Sequence, residues 1–240
     1  LEPAQLAGLP ADYVGAHPVD PNGNVHITTN YPDLIPFLTY ASDGSARRAL
    51  TVVNNNRAVP RNLEVLAAML AKRQELAGLL GYANWAEYVT EDKMSGSAGA
   101  VREFIDRART ACAESAAAEY EDLRAAKRRD DPTAAFLGTW DSAYYTERVK
   151  AERYRFDGRE LRPYFEYRAV RQAILDLASL LFGLTFTPVG VTLWHPSVES
   201  FDVAVDGGGM GRSSLDMFPR DGKFKHDACS TAVPGMGGQR

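Results

Sequence analysis

The chain has 240 residues, 45% of them hydrophobic and 24% charged, a balance ordinary for a soluble globular protein. With 27 basic and 31 acidic residues the formal net charge is −4, which argues against nucleic acid or an anionic membrane surface as the main partner. No apolar run approaches the roughly 20 residues that a bilayer-spanning helix needs. Residues 1–60 carry seven prolines, at positions 3, 10, 18, 21, 32, 36 and 60, so this stretch is expected to be loop-rich. Within it Val25–Thr28 reads as a short strand and Ser45–Val53 as one short helix. From Arg61 the spacing of Leu63, Leu66, Leu70, Ala77 and Leu80 predicts a helix that Gly81 stops.

The longest predicted element runs from about Ser97 to Arg129. Val101, Phe104, Ile105, Ala108, Cys112, Ala116, Tyr120 and Leu123 form one stripe at helical spacing, which predicts a buried face. Ser97 is the expected N-cap, and Asp130-Asp131-Pro132 ends the helix. Lys127-Arg128-Arg129 complements the macrodipole at that end and reads as a solvated helix terminus. A further helix is expected near Asp141. Another covers Arg168–Phe182, burying Val170, Ile174, Leu177 and Leu181, and stops at Gly183. After Gly183 the period becomes two: Leu184–Thr187, then Phe201, Val203 and Val205 alternating with polar neighbours, then Met210–Phe218 after a glycine turn. Pro219–Gly222 turns into a last strand at Phe224–Thr231. The expected fold is mainly α (α+β), with a predominantly helical part over 1–182 and a small antiparallel sheet over 183–240.

Chemistry is hard to find in these residues alone. No Gly-x-Ser-x-Gly elbow is present, and Gly207-Gly208-Gly209 lacks the spacing and following Lys-Ser/Thr of a phosphate loop. The histidines are His17, His26, His195 and His226, none paired as His-Glu-x-x-His, so neither a catalytic residue nor a metal ligand is assigned. Cys112 and Cys229 are the only cysteines and imply no disulfide framework. Nothing at the N-terminus resembles a signal peptide, so a reducing, cytoplasmic setting is expected. The chain opens at Leu1 rather than Met, which suggests sequence upstream.

Several stretches carry more when taken in order. "LLGYANWAEYVTEDKM" (Leu79–Met94), "WDSAYYTERVKAERYRFDGRELRPYF" (Trp140–Phe165), "LFGLTF", "WHPSV" and "LDMFPRDGKFKH" resemble, in sequence order and spacing, the thimet oligopeptidase, neurolysin and oligopeptidase A family of zinc metallopeptidases. The opening "LAGLPADYV" and "ITTNYPDLIPFLTYA" fit as well, so the resemblance covers nearly the whole chain. It implies a helical lobe followed by the sheet of a zincin-like catalytic domain. It also implies a Zn²⁺ held by His-Glu-x-x-His on one helix and a Glu on the next, with short peptides as substrates and a monomeric parent enzyme. In that family the zinc helix follows the strand matched by Phe224–Thr231, so the zinc ligands are expected outside this chain and the chain alone is expected to be inactive.

The resemblance further implies that this strand lies along the cleft and pairs with substrate backbone. Lys225, His226, Asp227, Ala228 and Cys229 are therefore the candidate substrate-binding residues. Lys225 and Asp227 stand where the family usually has small residues, and "WHPSV" lacks the acidic residue common after its histidine. For His195 a local structural contact is expected. The competing reading is a non-catalytic helical module that binds peptides or a protein and has lost the metal centre.

Overall fold

The computed structural model describes residues 1–191 and 193–224. The chain divides into two compact units, Leu1–Tyr154 and Arg155–Arg240. It is mainly helical with one small antiparallel sheet, as the sequence pattern predicts. The change from helix to strand at Gly183 falls inside the second unit.

The hydrophobic core of the first unit is built almost entirely from its first 50 residues. Helices α1 (Ala11–Ala16), α2 (Tyr31–Tyr40) and α3 (Gly44–Asn55) enclose Leu6, Leu9, Tyr13, Val25, Leu34, Phe37, Ala41, Ala46 and Leu50. The proline-rich stretch is thus more ordered than its composition suggests. Pro32 sits in the first turn of α2, where a backbone N–H would have no helical acceptor, so it costs nothing there. Pro36 removes one ladder bond inside the helix, and burial of its neighbours Leu34 and Phe37 offsets that loss. The strand expected at Val25–Thr28 is only a single bridge, Val25 to Val19, because Val25 spends its N–H on the Leu1 carbonyl. Gly8 lets the N-terminal turn close onto α2. Its φ is +89°, and a Cβ there would lie 2.4 Å from the Tyr40 carbonyl oxygen.

Helix α3 is capped by Asp43, whose carboxylate accepts from the Ser45 and Ala46 N–H groups. Next come α4 (Arg61–Leu79), α5 (Trp85–Thr90), α6 (Ala98–Asp130) and α7 (Ser142–Tyr154). Helix α6 starts where Ser97 predicts: the Ser97 Oγ accepts from the Ala100 N–H at 3.1 Å, and Glu87 accepts from the Ala98 N–H at 3.3 Å. Helices α6 and α7 are laced together by ion pairs, Asp122 with Arg153, Asp130 with Arg148 and Arg129 with Glu152. Burial, and then the carboxylate of Asp130, push the Tyr145 hydroxyl up to about 12.

One buried ionic cluster ties α3 to this pair. Arg47 and Asp141 are 2% and 1% exposed, and Arg47 Nη2 donates to Asp141 Oδ1 at 2.7 Å. The other Asp141 oxygen accepts from Lys127 Nζ at 2.6 Å and from the Gly138 N–H at 3.1 Å. The remaining guanidinium donors reach the carbonyls of Ala41, Ser42 and Trp140, and the group stacks 4.1 Å from the Tyr144 ring centroid. Lys127 therefore belongs to this cluster rather than to a solvated helix end.

The buried faces expected for the long helices are not buried here. In α6 Phe104 and Ile105 are 64% and 56% exposed, and Leu63, Leu66 and Leu70 of α4 are exposed in the same way. The amphipathic period is correct and the helices form, but the first unit offers these faces no covering layer.

In the second unit a 3₁₀ segment, Gly158–Phe165, leads into α8 (Tyr167–Phe182). Glu166 caps α8, and Gly183 ends it in the left-handed conformation at φ +65°. Ile174, Leu177 and Leu181, expected inside, are exposed. The sheet has the order β1-β2-β3, all antiparallel: β1 (Leu184–Pro188), β2 (Glu199–Val205) and β3 (Gly208–Leu215). Asp206-Gly207 forms the two-residue turn between β2 and β3, both with positive φ, the Asp-Gly chemistry of a tight hairpin. The third strand ends at Leu215, short of the expected Phe218.

Candidate functional site

The five candidate substrate-binding residues, Lys225, His226, Asp227, Ala228 and Cys229, lie outside the described residues, as does most of the expected strand Phe224–Thr231. What the structure describes is the platform that leads to them. Strand β3 is at the edge of the sheet among the described residues. Its Gly-rich sequence gives it weak strand propensity of its own, so its hairpin partner β2 holds it in place.

The exit from β3 is fixed by a cluster that sequence reasoning passed over. The Asp216 carboxylate takes a bidentate pair from Arg220, at 2.6 and 2.7 Å, and the Trp194 indole N–H at 3.0 Å. Lys223 Nζ lies 3.2 Å from the same carboxylate and donates to the carbonyls of Asp216 and Phe218. One aspartate thus joins the loop after β1 to the turn at Pro219–Gly222. Phe218 packs edge-on against Tyr167 of α8, whose hydroxyl is 3.4 Å from Glu199 of β2, and Glu199 also pairs with Arg171. Helix, sheet and turn are therefore coupled within this unit. Cations four and seven residues after Asp216 were the available signal. It was missed because Trp194, 22 residues upstream, completes the cluster from another loop.

Arg220, then Trp194 and Lys223, hold the Asp216 carboxyl well below the usual carboxylate range. A depressed pKa stabilises the fold above the unfolded carboxylate's value of about 3.9, and that contribution is lost progressively as pH falls from there through the lower folded value. The indole N–H resonance of Trp194 is accordingly expected to keep its bonded position through pH 4 and to move only below it. Asp216→Ala should leave it at the free position at every pH. Movement centred near pH 4 would show that the clamp does not form in solution.

His195 makes the local contact expected of it, its Nδ1 lying 2.8 Å from Ser197 Oγ and 3.2 Å from the Ser197 nitrogen. His17 sits between the Tyr13 carbonyl and Asp33, and His26 faces Asp20. Among the described residues no three His, Cys, Asp or Glu side chains converge, so these residues do not fit a zinc site. No helix among them is long and apolar enough to cross a membrane.

Residues 37–239 match the model of peptidase family M3. The chain is 27% identical over 245 residues to Thimet-like oligopeptidase of Dictyostelium discoideum, covering 96% of this chain and 36% of that protein. It is 26% identical to Oligopeptidase A of Escherichia coli, covering 92% and 34%. It is 31% identical to Mitochondrial intermediate peptidase 2 of Cryptococcus neoformans, covering 91% and 29%. The chain thus spans about a third of the length of the curated relatives it matches. A match that runs from the end of α2 through the Arg47–Asp141 cluster, the sheet and the Asp216 turn covers more than half of the sequence, and the chain belongs to peptidase family M3.

Proposed function

We propose that this chain is the part of a zinc-dependent metallo-oligopeptidase that precedes its zinc-binding helix, and that the complete enzyme hydrolyses peptide bonds in short peptides. The observation that carries the reading is the match of residues 37–239 to an M3 peptidase in a sequence without His-Glu-x-x-His. In this reading the chain supplies scaffold and a substrate-binding edge, and the metal ligands come from the polypeptide beyond it. The zinc would activate a water for attack on the peptide carbonyl. The parent enzyme works as a monomer in the cytoplasm, a setting assigned from cysteine usage, since the Cryptococcus relative is by its name mitochondrial.

Within that enzyme, Lys225–Cys229 form the strand against which a peptide lies. The clamped turn at Asp216–Lys223 leads from β3 to this segment. Main-chain pairing along such a strand is indifferent to side chains, which suits an enzyme that accepts many short peptides. Lys225 and Asp227 share one face of an extended strand and would sort peptides by charge.

The test compares the 240-residue chain with the same sequence extended through its continuing reading frame. The isolated chain is expected to hold no stoichiometric zinc after dialysis and to cleave no peptide. The extended protein should do both, and Lys225→Gly in it should change cleavage of acidic and basic peptides unequally. A tightly held zinc in the isolated chain would overturn the assignment of the metal ligands. Equal effects on both peptide series would make residues 225–229 scaffold.

A further inference from the structure

Asn22-Gly23 is the one Asn-Gly pair in the sequence, and it lies before the segment 37–239 that the family model matches. Glycine puts no side chain beside its own nitrogen, so here a main-chain nitrogen meets the least hindrance in reaching an asparagine side chain. The structure places the pair in a tight turn. The Asp20 carbonyl accepts from the Gly23 N–H at 3.0 Å, and the Asp20 N–H donates to the Asn24 carbonyl at 2.7 Å. Asp20 Oδ1 accepts from the N–H groups of Asn22 and Asn24 at 2.8 and 2.9 Å, while Oδ2 faces His26 Nε2 at 2.8 Å. Gly23 holds a φ of +84°, which its lack of a Cβ permits. This turn carries Val25 into the core of the first unit. Val25 is buried, bridges Val19 and exchanges main-chain hydrogen bonds with Leu1.

We propose that Asn22 is a site of spontaneous covalent modification, converting to aspartate and isoaspartate through a cyclic imide at a rate set by the Asp20 turn. The Gly23 nitrogen forms a bond to Asn22 Cγ as the Cγ–Nδ2 bond breaks, and the Gly23 proton leaves with the side-chain nitrogen as ammonia. Water then opens the imide at one of its two carbonyls. Opening at Cγ gives aspartate on the ordinary main chain. Opening at the other carbonyl gives isoaspartate, whose main chain runs through Cγ and is one methylene longer. The closed turn holds the first step back, because the attacking nitrogen is engaged with the Asp20 carbonyl and the amides on either side of it are fastened to one carboxylate oxygen. Reaction therefore proceeds from the locally opened turn. Once isoaspartate has formed, the turn cannot close as before. The extra methylene separates the two amides that share Asp20 Oδ1, and a new negative charge stands two residues from that carboxylate. The change is one-way, and its cost falls on the anchoring of Val25.

The test ages the 240-residue chain at neutral pH, folded and unfolded in guanidinium chloride. Residue 22 is read by peptide mapping and by enzymatic methyl transfer from S-adenosylmethionine to isoaspartyl carboxylates. Conversion at residue 22 is expected in both states, at least about tenfold more slowly in the folded chain. Asp20→Ala should raise the folded-chain rate several-fold, whereas Asp20→Asn, which keeps an oxygen acceptor, should stay near the parent. In denaturant all three chains should convert alike. Asn22→Gln should lose the methyl-accepting group at residue 22. The converted fraction, separated from the parent by its extra negative charge, should unfold at a lower urea concentration. An Asn22 that never converts in the folded chain would overturn the site. Equal rates in folded and unfolded chains, or in the folded parent and Asp20→Ala, would overturn its control by the turn.

Discussion

Asp141→Ala is expected to destabilise the 240-residue chain by about 3–5 kcal/mol, the cost of leaving a buried charge without its partner. The substitution strands the Arg47 guanidinium, which is as buried as the carboxylate it pairs with, and removes the acceptor of Lys127 and of the Gly138 N–H. Urea unfolding of the parent and the variant measures the loss directly. The double variant Arg47→Met/Asp141→Leu should recover only part of it, because it removes the stranded guanidinium but leaves Lys127 and the Gly138 N–H without this acceptor and the carbonyls of Ala41, Ser42 and Trp140 without this donor. A loss below about 1 kcal/mol for Asp141→Ala would be the value of an exposed pair and would place this cluster in water.

Phe37→Ala should cost a similar amount, about 3–5 kcal/mol, by a different route. Phe37 is fully buried at the centre of the only hydrophobic core cluster among the described residues, where α2 meets α1 and α3. Truncation loses the transfer free energy of the ring and leaves a cavity that its short, proline-containing helix is poorly placed to close. The urea midpoint should fall with little change in slope. If it does not, the core of this unit lies elsewhere.

The long helices and the sheet were legible because their signals are local. Ser97 and Gly183 mark helix ends through backbone geometry that any neighbourhood would preserve, and the alternation of Phe201, Val203 and Val205 fixes a strand. Burial was not legible. Periodicity says that Ile105 and Leu177 share faces with other apolar residues, but whether a face is covered depends on polypeptide that those positions do not contain. The order within the first 60 residues was hidden for the opposite reason. Composition weighs each proline alike, whereas Pro32 is harmless at a helix start and Pro36 is tolerated because Phe37 beside it is buried. The ionic cluster at Arg47 and the Asp216 clamp both join residues distant in sequence, and neither carboxylate differs from a surface aspartate until the fold is known.

Arg47 and Asp141 are 94 residues apart in the chain. Closing so long a loop is entropically unfavourable, and the contact gives nothing back until α3 is packed and the α6–α7 hairpin is formed. The cluster therefore acts as a late fastener. It joins two structures that assemble separately, and its strength governs how slowly they part rather than how quickly they meet. In a chevron plot, Asp141→Ala should steepen nothing and shift mainly the unfolding limb upward.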